Sequence, residues 1–309
     1  MSEPAREIPS GAHRAAALPR SVREGRASER GRWKGWRVFA RDRASLVAAG
    51  LIVAVGLLAL LAPFVAPYDP AEQRILRRLQ PPLTPGHGLG TDDVGRDVWS
   101  RLVWGSRVSL TVGAGSVGLG LLLGAPVGLV AGYRGGRFDQ LVMRLVDVLM
   151  SFPMLVLGLM VAGVLGPGQL KLMIAIGVSM APRFARMARG TALALRSREF
   201  VEAARAVGNP ESRILIRHLL PNLLGQLVVM ATLWMATAIR AEANLSFIGL
   251  GAPPPHPTWG GMIRDGLNLL GTAPWISVVP GIAIFVCVLA FNMLGDGLRD
   301  VLDPKFRDN

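Results

Sequence analysis

Long apolar runs separated by short polar stretches dominate the chain, and that rhythm predicts a bundle of membrane-spanning helices. About 20 successive apolar residues cross the hydrocarbon core of a bilayer. Residues 45–66 carry no charge and form the first candidate span; 108–133, 141–165, 170–184, 223–239 and 276–294 supply five more. The third run encloses Pro153. The fourth is short, encloses Pro182, and is expected to lead straight into the polar stretch that follows. The expected fold is an all-α membrane protein with six transmembrane helices.

The polar stretch 186–222 reads as a helix–turn–helix knob. Its first helix is expected over 197–207, with Phe200, Ala203, Ala204 and Val207 sharing one face at helical spacing. Gly208 follows the last periodic residue, where a left-handed stop favours a residue without Cβ. Asn209 suits an N-cap and Pro210 the first helical position, with Glu211 adding negative charge to the first turn. The second helix carries Arg213 and Arg217, is expected to end near His218, and the chain re-enters the bilayer at Leu220-Pro221.

Composition supports the membrane reading. Hydrophobic residues make up 51% and charged residues only 18%, below the roughly 25% of soluble domains. The net charge of +13 raises the question of nucleic acid. Basic residues, however, gather in the N-terminal tail and between apolar runs, as the positive-inside rule produces, and no aromatic-rich basic face offers stacking to bases. The tail therefore places both termini on the cytoplasmic side. Four regions are expected: a disordered basic tail (1–32); an N-terminal region with an interfacial segment, first span and extracytoplasmic loop (33–106); a transport domain (107–300); and a short cytoplasmic end (301–309). Trp33, Trp36 and Phe39, among five basic residues, suggest an amphipathic stub at the interface; a loose linker is the competing reading. The lone Cys287 lies in an apolar run as a packing residue.

His87, Asp92, Asp93 and Asp97 invite a metal reading, but their spacing fits no calcium loop; helix starts and Arg–Asp pairing are expected instead. Ser116, Gly120, Gly124, Gly128 and Gly132 recur every fourth residue and predict a close helix–helix approach. Gly113, Gly115 and Gly118 match a dinucleotide fingerprint in form only, since no strand precedes them. Arg144 and Asp147, three apart, are expected to pair near the interface. Arg240, Glu242 and Asn244 either line a translocation path or pair with one another. The chain has no phosphate-cradling P-loop, no histidine within a span to serve a serine nucleophile, and no catalytic or metal site legible in its sequence. An ion-coupled carrier would need buried acids at mid-membrane, and only Asp147, off-centre, stands out.

The knob resembles the EAA loop of permease subunits in ATP-binding-cassette importers. Glu202, Ala203, Ala204, Gly208, Leu220 and Pro221 match its pattern, and His218 replaces its isoleucine. Two further strings are similar to the dipeptide/oligopeptide/nickel branch of these permeases, of the second, "C" type. One is Gly90-Thr91-Asp92-Asp93-Val94-Gly95-Arg96-Asp97; the other runs Glu242-Ala243-Asn244-Leu245-Ser246-Phe247-Ile248-Gly249-Leu250-Gly251. The resemblance covers roughly residues 33–305. It implies a type I ABC importer transmembrane domain in a bacterial inner membrane, with a cytoplasmic coupling helix. It also implies a homologous permease, two ATPase subunits that use ATP and Mg, and an extracytoplasmic solute-binding protein as partners. The chain itself would bind no cofactor. Glu202, Ala203, Ala204, Gly208, Asn209, Pro210, Arg213, Arg217, Leu220 and Pro221 would form the ATPase-coupling element. Short peptides are the implied cargo, with nickel, glutathione or another solute as alternatives.

Overall fold

The computed structural model describes residues 42–302; the basic tail and the stub at Trp33, Trp36 and Phe39 lie outside the described residues. Among these residues the regular structure is helical, apart from two isolated bridges in one loop. The main helices are α1 (Arg43–Leu60), α2 (Val98–Arg134), α3 (Gly136–Ser151), α4 (Met154–Leu165), α5 (Gln169–Arg196), α6 (Glu199–Ala206), α7 (Leu220–Ile248), α8 (Trp259–Gly266) and α9 (Trp275–Leu302). By length and composition four helical runs suffice to cross a membrane: α1, α2, the continuous run Glu211–Ile248, and α9. A fifth forms if α3 and α4 count as one broken span. The expected fourth span, α5, has 28 residues but carries Lys171, Arg183, Arg186 and Arg189. The sequence count of six spans therefore becomes four clearly apolar helices, one bent pair and one long basic helix.

The centre of the bundle is the contact between α2 and α5, its most extensive helix–helix interface. The small-residue stripe makes it possible. A Cβ at Gly120 would stand 2.9 Å from Met180 Cβ, and one at Gly132 would stand 2.6 Å from the Arg189 carbonyl oxygen. At Gly124 and Gly128 it would collide with the carbonyl oxygens of Ala181 and Ala185. Ser116 closes the stripe by donating from Oγ to the Met173 carbonyl at 3.1 Å. Around this pair Val112, Leu129, Leu172, Ile176, Met180, Phe184, Leu223 and Leu245 form one apolar core that joins α2, α5 and α7.

Several expected boundaries move. Helix α2 begins ten residues before the expected start, capped by Asp97, whose carboxylate accepts from the Ser100 amide at 2.8 Å. Its 37 residues reach about 55 Å, well beyond a hydrocarbon core of about 30 Å. The expected single span 141–165 is instead two helices bent by 91°. Pro153 disfavours helical backbone at Phe152, which is extended (φ −81°, ψ 136°), and α4 starts afresh behind it. Helix α3 buries Asp139, Met143 and Val146 at helical spacing, and Asp139 takes both N–H groups of Arg189 on α5 at 2.6 and 2.7 Å. Helix α7 runs on past 239 to a left-handed stop at Gly249 (φ 100°). Arg240, Glu242 and Asn244 are therefore helical residues rather than part of a loop. Helix α9 likewise carries Asp296, Arg299 and Asp300 within its last turns.

The ends sort onto two faces. Asp42 caps α1, and Ser45 sits against Gly297 near the end of α9. The knob lies on this same face, at the adjoining ends of α2 and α5. The loop from 66 to 97, the turn before α5 and helix α8 lie at the other end, where the Gly168 amide reaches the Gly251 carbonyl at 3.1 Å.

Two glycines in α2 separate packing from propensity. Gly128→Ala is expected to cost about 2 kcal/mol or more through backbone collision, whereas Gly118→Ala, with open space around its Cβ, is neutral or slightly stabilising. Thermal unfolding of the detergent-purified protein should show a lower Tm for the first and no loss for the second.

Candidate functional site

The knob begins where α5 ends at Ser197 and α6 starts two residues later. Its turn is a two-bond helix stop. The Gly208 amide donates to the Arg205 carbonyl at 2.9 Å and the Asn209 amide to the Ala204 carbonyl at 3.2 Å, with Gly208 at φ +81°. That is the conformation expected of Gly208. Asn209, however, does not cap the second helix. Its Nδ2 donates back to the Ala204 carbonyl at 3.1 Å, and its Oδ1 accepts from Arg213 at 3.3 Å. Pro210 occupies the cap position itself, with extended backbone (φ −64°, ψ 150°), and the helix starts at Glu211.

The second helix also departs from expectation. It does not end near His218. A short α turn, Glu211–Arg213, widens into a π-helical turn, Ile214–Leu219, and continues as α7 through Leu220 and Pro221 without a break. Pro221 lies just past the π turn and brings no N–H to the helix ladder, and the Asn222 side-chain amide donates to the His218 carbonyl at 2.7 Å. The knob is thus welded to α7 and set off from α5 only by a tight corner.

Of the four residues expected to share one face of α6, only Ala204 is buried. Val201 and Ala204 are buried, with Ile214 and Leu219 from the second limb. Phe200, Ala203 and Val207 lie outward, and Val207 is 82% exposed. Glu202 is exposed beside them, as are Gly208, Pro210, Arg213 and Arg217. The outward surface is therefore an apolar patch, with Ile216 exposed on the second limb, bordered by acidic and basic groups. The anchoring residues had no local signature. Arg205 lies over the Tyr133 ring at 5.0 Å and donates from Nε to its hydroxyl at 3.3 Å, while Arg134 reaches Glu211 at 3.4 Å. Both anchors come from the last turn of α2, some 70 positions upstream.

The other sequence-singled polar residues separate. Asp147 bonds Arg186 on α5 rather than Arg144, which is exposed. Arg240 and Asn244 are exposed and share a face of α7, whereas Glu242, two residues from Arg240, points away from it. Glu242 is fully buried and accepts from Ser109 of α2 at 2.8 Å and from Ser246 at 2.7 Å. Of the two alternatives for these residues, pairing of Arg240 with Glu242 or Asn244 does not occur among the described residues.

At the face opposite the knob, the loop acids do what their positions suggested. Asp97 accepts from Ser100 and from His87 Nδ1 at 2.9 Å. Asp92 accepts from the Val94 and Arg96 amides and from Arg96 Nε at 2.6 Å. Buried Arg101 of α2 bridges Asp92 at 3.4 Å and Asp265 of α8 at 3.3 Å. These ion pairs tie the loop, α2 and α8 together beside a cavity of about 200 Å³ lined by Arg264, His256 and Pro253 to Pro255.

Residues 124–308 match the family described as "Binding-protein-dependent transport system inner membrane component". The chain belongs to that family. Residues 32–82 match the N-terminal TM domain of oligopeptide transport permease C. A glutathione transport system permease protein of Pectobacterium atrosepticum is 41% identical over 273 residues, covering 88% of this chain and 90% of that one. A dipeptide transport system permease protein of Alkalihalophilus pseudofirmus is 41% identical over 267 residues, covering 86% and 88%. An inward-facing structure of the MetNI methionine ABC transporter aligns with TM-score 0.55 at 22% identity, over 66% of this chain and 97% of that one. The fold is that of an ABC importer transmembrane domain. The chain is an ABC importer permease of the peptide branch, a multi-pass inner-membrane subunit that works with ATPase and substrate-binding partners.

Arg101→Leu leaves Asp92 and Asp265 without their shared buried cation and is expected to cost about 3 kcal/mol. Asp93→Asn removes only a half-exposed contact to Arg96 and changes stability little. Tm, together with the rate of proteolysis within residues 66–97, distinguishes the two outcomes.

Proposed function

We propose that this permease supplies half of the translocation route for short peptides and receives its power stroke through the knob. In this reading the knob and both chain ends are cytoplasmic, and the opposite face, with its Arg101-centred ion pairs, meets a solute-binding protein. A second, homologous permease completes the route. Two ATPase subunits bind ATP and Mg; this chain contributes no nucleotide site and no catalytic group. Glutathione, itself a tripeptide, falls within the proposed substrate class, and the dipeptide permease among the relatives supports the same assignment.

The observation that carries the coupling role is the two-sidedness of the knob. One side is pinned by Val201, Ala204, Ile214 and the Arg205–Tyr133 contact; the other presents Phe200, Ala203, Val207 and Ile216 to solvent. An exposed apolar patch rimmed by charge marks a protein interface. The ATPase is the partner proposed for it, with Glu202, Arg213 and Arg217 at its rim. Because the second limb continues into α7 and the first adjoins α5, a push on the knob moves both helices as one body. Gly208, Asn209 and Pro210 keep the corner stiff. Leu220 and Pro221 carry the motion onward.

Gly208→Val forces a β-branched residue into a left-handed backbone while touching nothing else, since no atom lies within 4 Å of the added Cβ. In the reconstituted importer it is expected to abolish peptide uptake and substrate-stimulated ATP hydrolysis with normal membrane levels of the protein. Wild-type uptake in the variant would refute coupling through this corner.

A further inference from the structure

The basic residues of α5 differ in one respect that matters inside a membrane. Arg186 has Asp147, and Arg189 has both oxygens of Asp139. Arg183, midway along the same helix, has no carboxylate within ion-pair distance among the described residues. It is partly buried. Its guanidinium lies 5.4 Å over the ring of Trp234, at the midpoint of α7, and Nη1 donates to the Ser179 carbonyl at 3.0 Å. A cation–π contact and one carbonyl hold the group in place without neutralising it. Arg240, nearer the far end of α7, likewise has no carboxylate within ion-pair distance among the described residues, and its Nη2 donates to Thr237 at 3.4 Å.

Unpaired cations at membrane depth are costly and face either an aqueous route or an incoming counter-ion. The surface of α7 that carries Arg240 says which. Gln226, Met230, Leu233, Thr237, Arg240 and Asn244 follow one another at spacings of four and three, so they form a single stripe along the helix. Every one of them is at least partly exposed, and four are polar. Lipid tails offer nothing to such a stripe. Arg183 does not snorkel toward the basic end of α5: its Nη1 reaches back one turn, to the Ser179 carbonyl.

We infer that this stripe is the route-facing wall of the permease, and that Arg240 and then Arg183 hold the anionic end of the passing solute, a carboxylate in the case of a peptide. The inference rests on the importer reading above and adds the groups that meet the cargo. Arg240 lies closer to the face opposite the knob, and Arg183 is one step deeper. A carboxylate entering from that face meets two successive uncompensated cations. Below them, Arg186 is already occupied by Asp147 and adds less attraction. The order gives binding that draws an anion in and then loosens.

The test uses the complete importer in lipid nanodiscs, with Cys287→Ala to remove the native thiol and Thr237→Cys as reporter. Labelling of this chain is followed by mass with an anionic sulfonatoethyl and a cationic trimethylammonioethyl methanethiosulfonate, in nucleotide-free and ATP-bound states. The anionic reagent is expected to react about tenfold faster in at least one state. Arg183→Gln or Arg240→Gln should reduce that preference, and Arg183→Lys should retain it. A reporter inert to both reagents in both states, or a rate ratio indifferent to both glutamine variants, overturns the proposal. Labelling requires no coupled transport, so a failure of ATP-driven uptake would count against the importer reading and leave this result readable.

Discussion

No side chain fits between α2 and α5 along the stripe from Gly120 to Gly132, and the molecule is built outward from that close approach. In a bilayer, water exclusion does not drive helices together, so packing has to. Backbone contact over more than three turns gives a pair that tilts and shifts as a unit rather than sliding. Asp139 then fastens α3 to the pair through Arg189, and α7 joins through the shared apolar core.

The consequence appears at the end of the pair. Helix α5 turns into the knob, and the last turn of α2 supplies Tyr133 and Arg134, which hold the knob by Arg205 and Glu211. Both members of the rigid pair thus grip the same small element. The second limb passes without interruption into α7 by way of a π turn, a feature that often marks functional positions in helices. A displacement imposed on Phe200, Ala203 and Val207 has no soft joint in which to dissipate before it reaches the spans. The opposite face has its own fastening in Arg101, which keeps α8 and the long loop registered to the start of α2 while the other end moves.

Much of this was legible in the chain. The stop at Gly208 and the limits of α6 follow from local chemistry, as do the Asp97 cap and the glycine stripe. The facing of α6 was not legible. Spacing groups Phe200, Ala203, Ala204 and Val207, yet the side that meets the rest of the protein is Val201 with Ala204, and periodicity has no means of choosing it. The start of α2 was missed because Ser100, Arg101 and Ser106 are polar yet buried; hydropathy ends a span where ion pairs prolong the helix. Local spacing pairs Asp147 with its neighbour Arg144 and cannot see Arg186, 39 positions away. Burial of Glu242 is not legible either: of its two partners Ser246 is one turn away, but Ser109, which closes the site, lies on another helix. Pro153 marks the place of the bend, but its size depends on Phe152 leaving the helix, which proline favours without fixing the angle.

The central claim is that the outward face of the knob sits against the ATPase while its inward face stays within the permease. A photoreactive benzoylphenylalanine at Val207, in the complete importer, tests it directly. The account predicts a cross-link to the ATPase subunit from position 207 and none from position 201, which is buried. No ATPase adduct at 207, or an adduct there to the solute-binding protein, would contradict it.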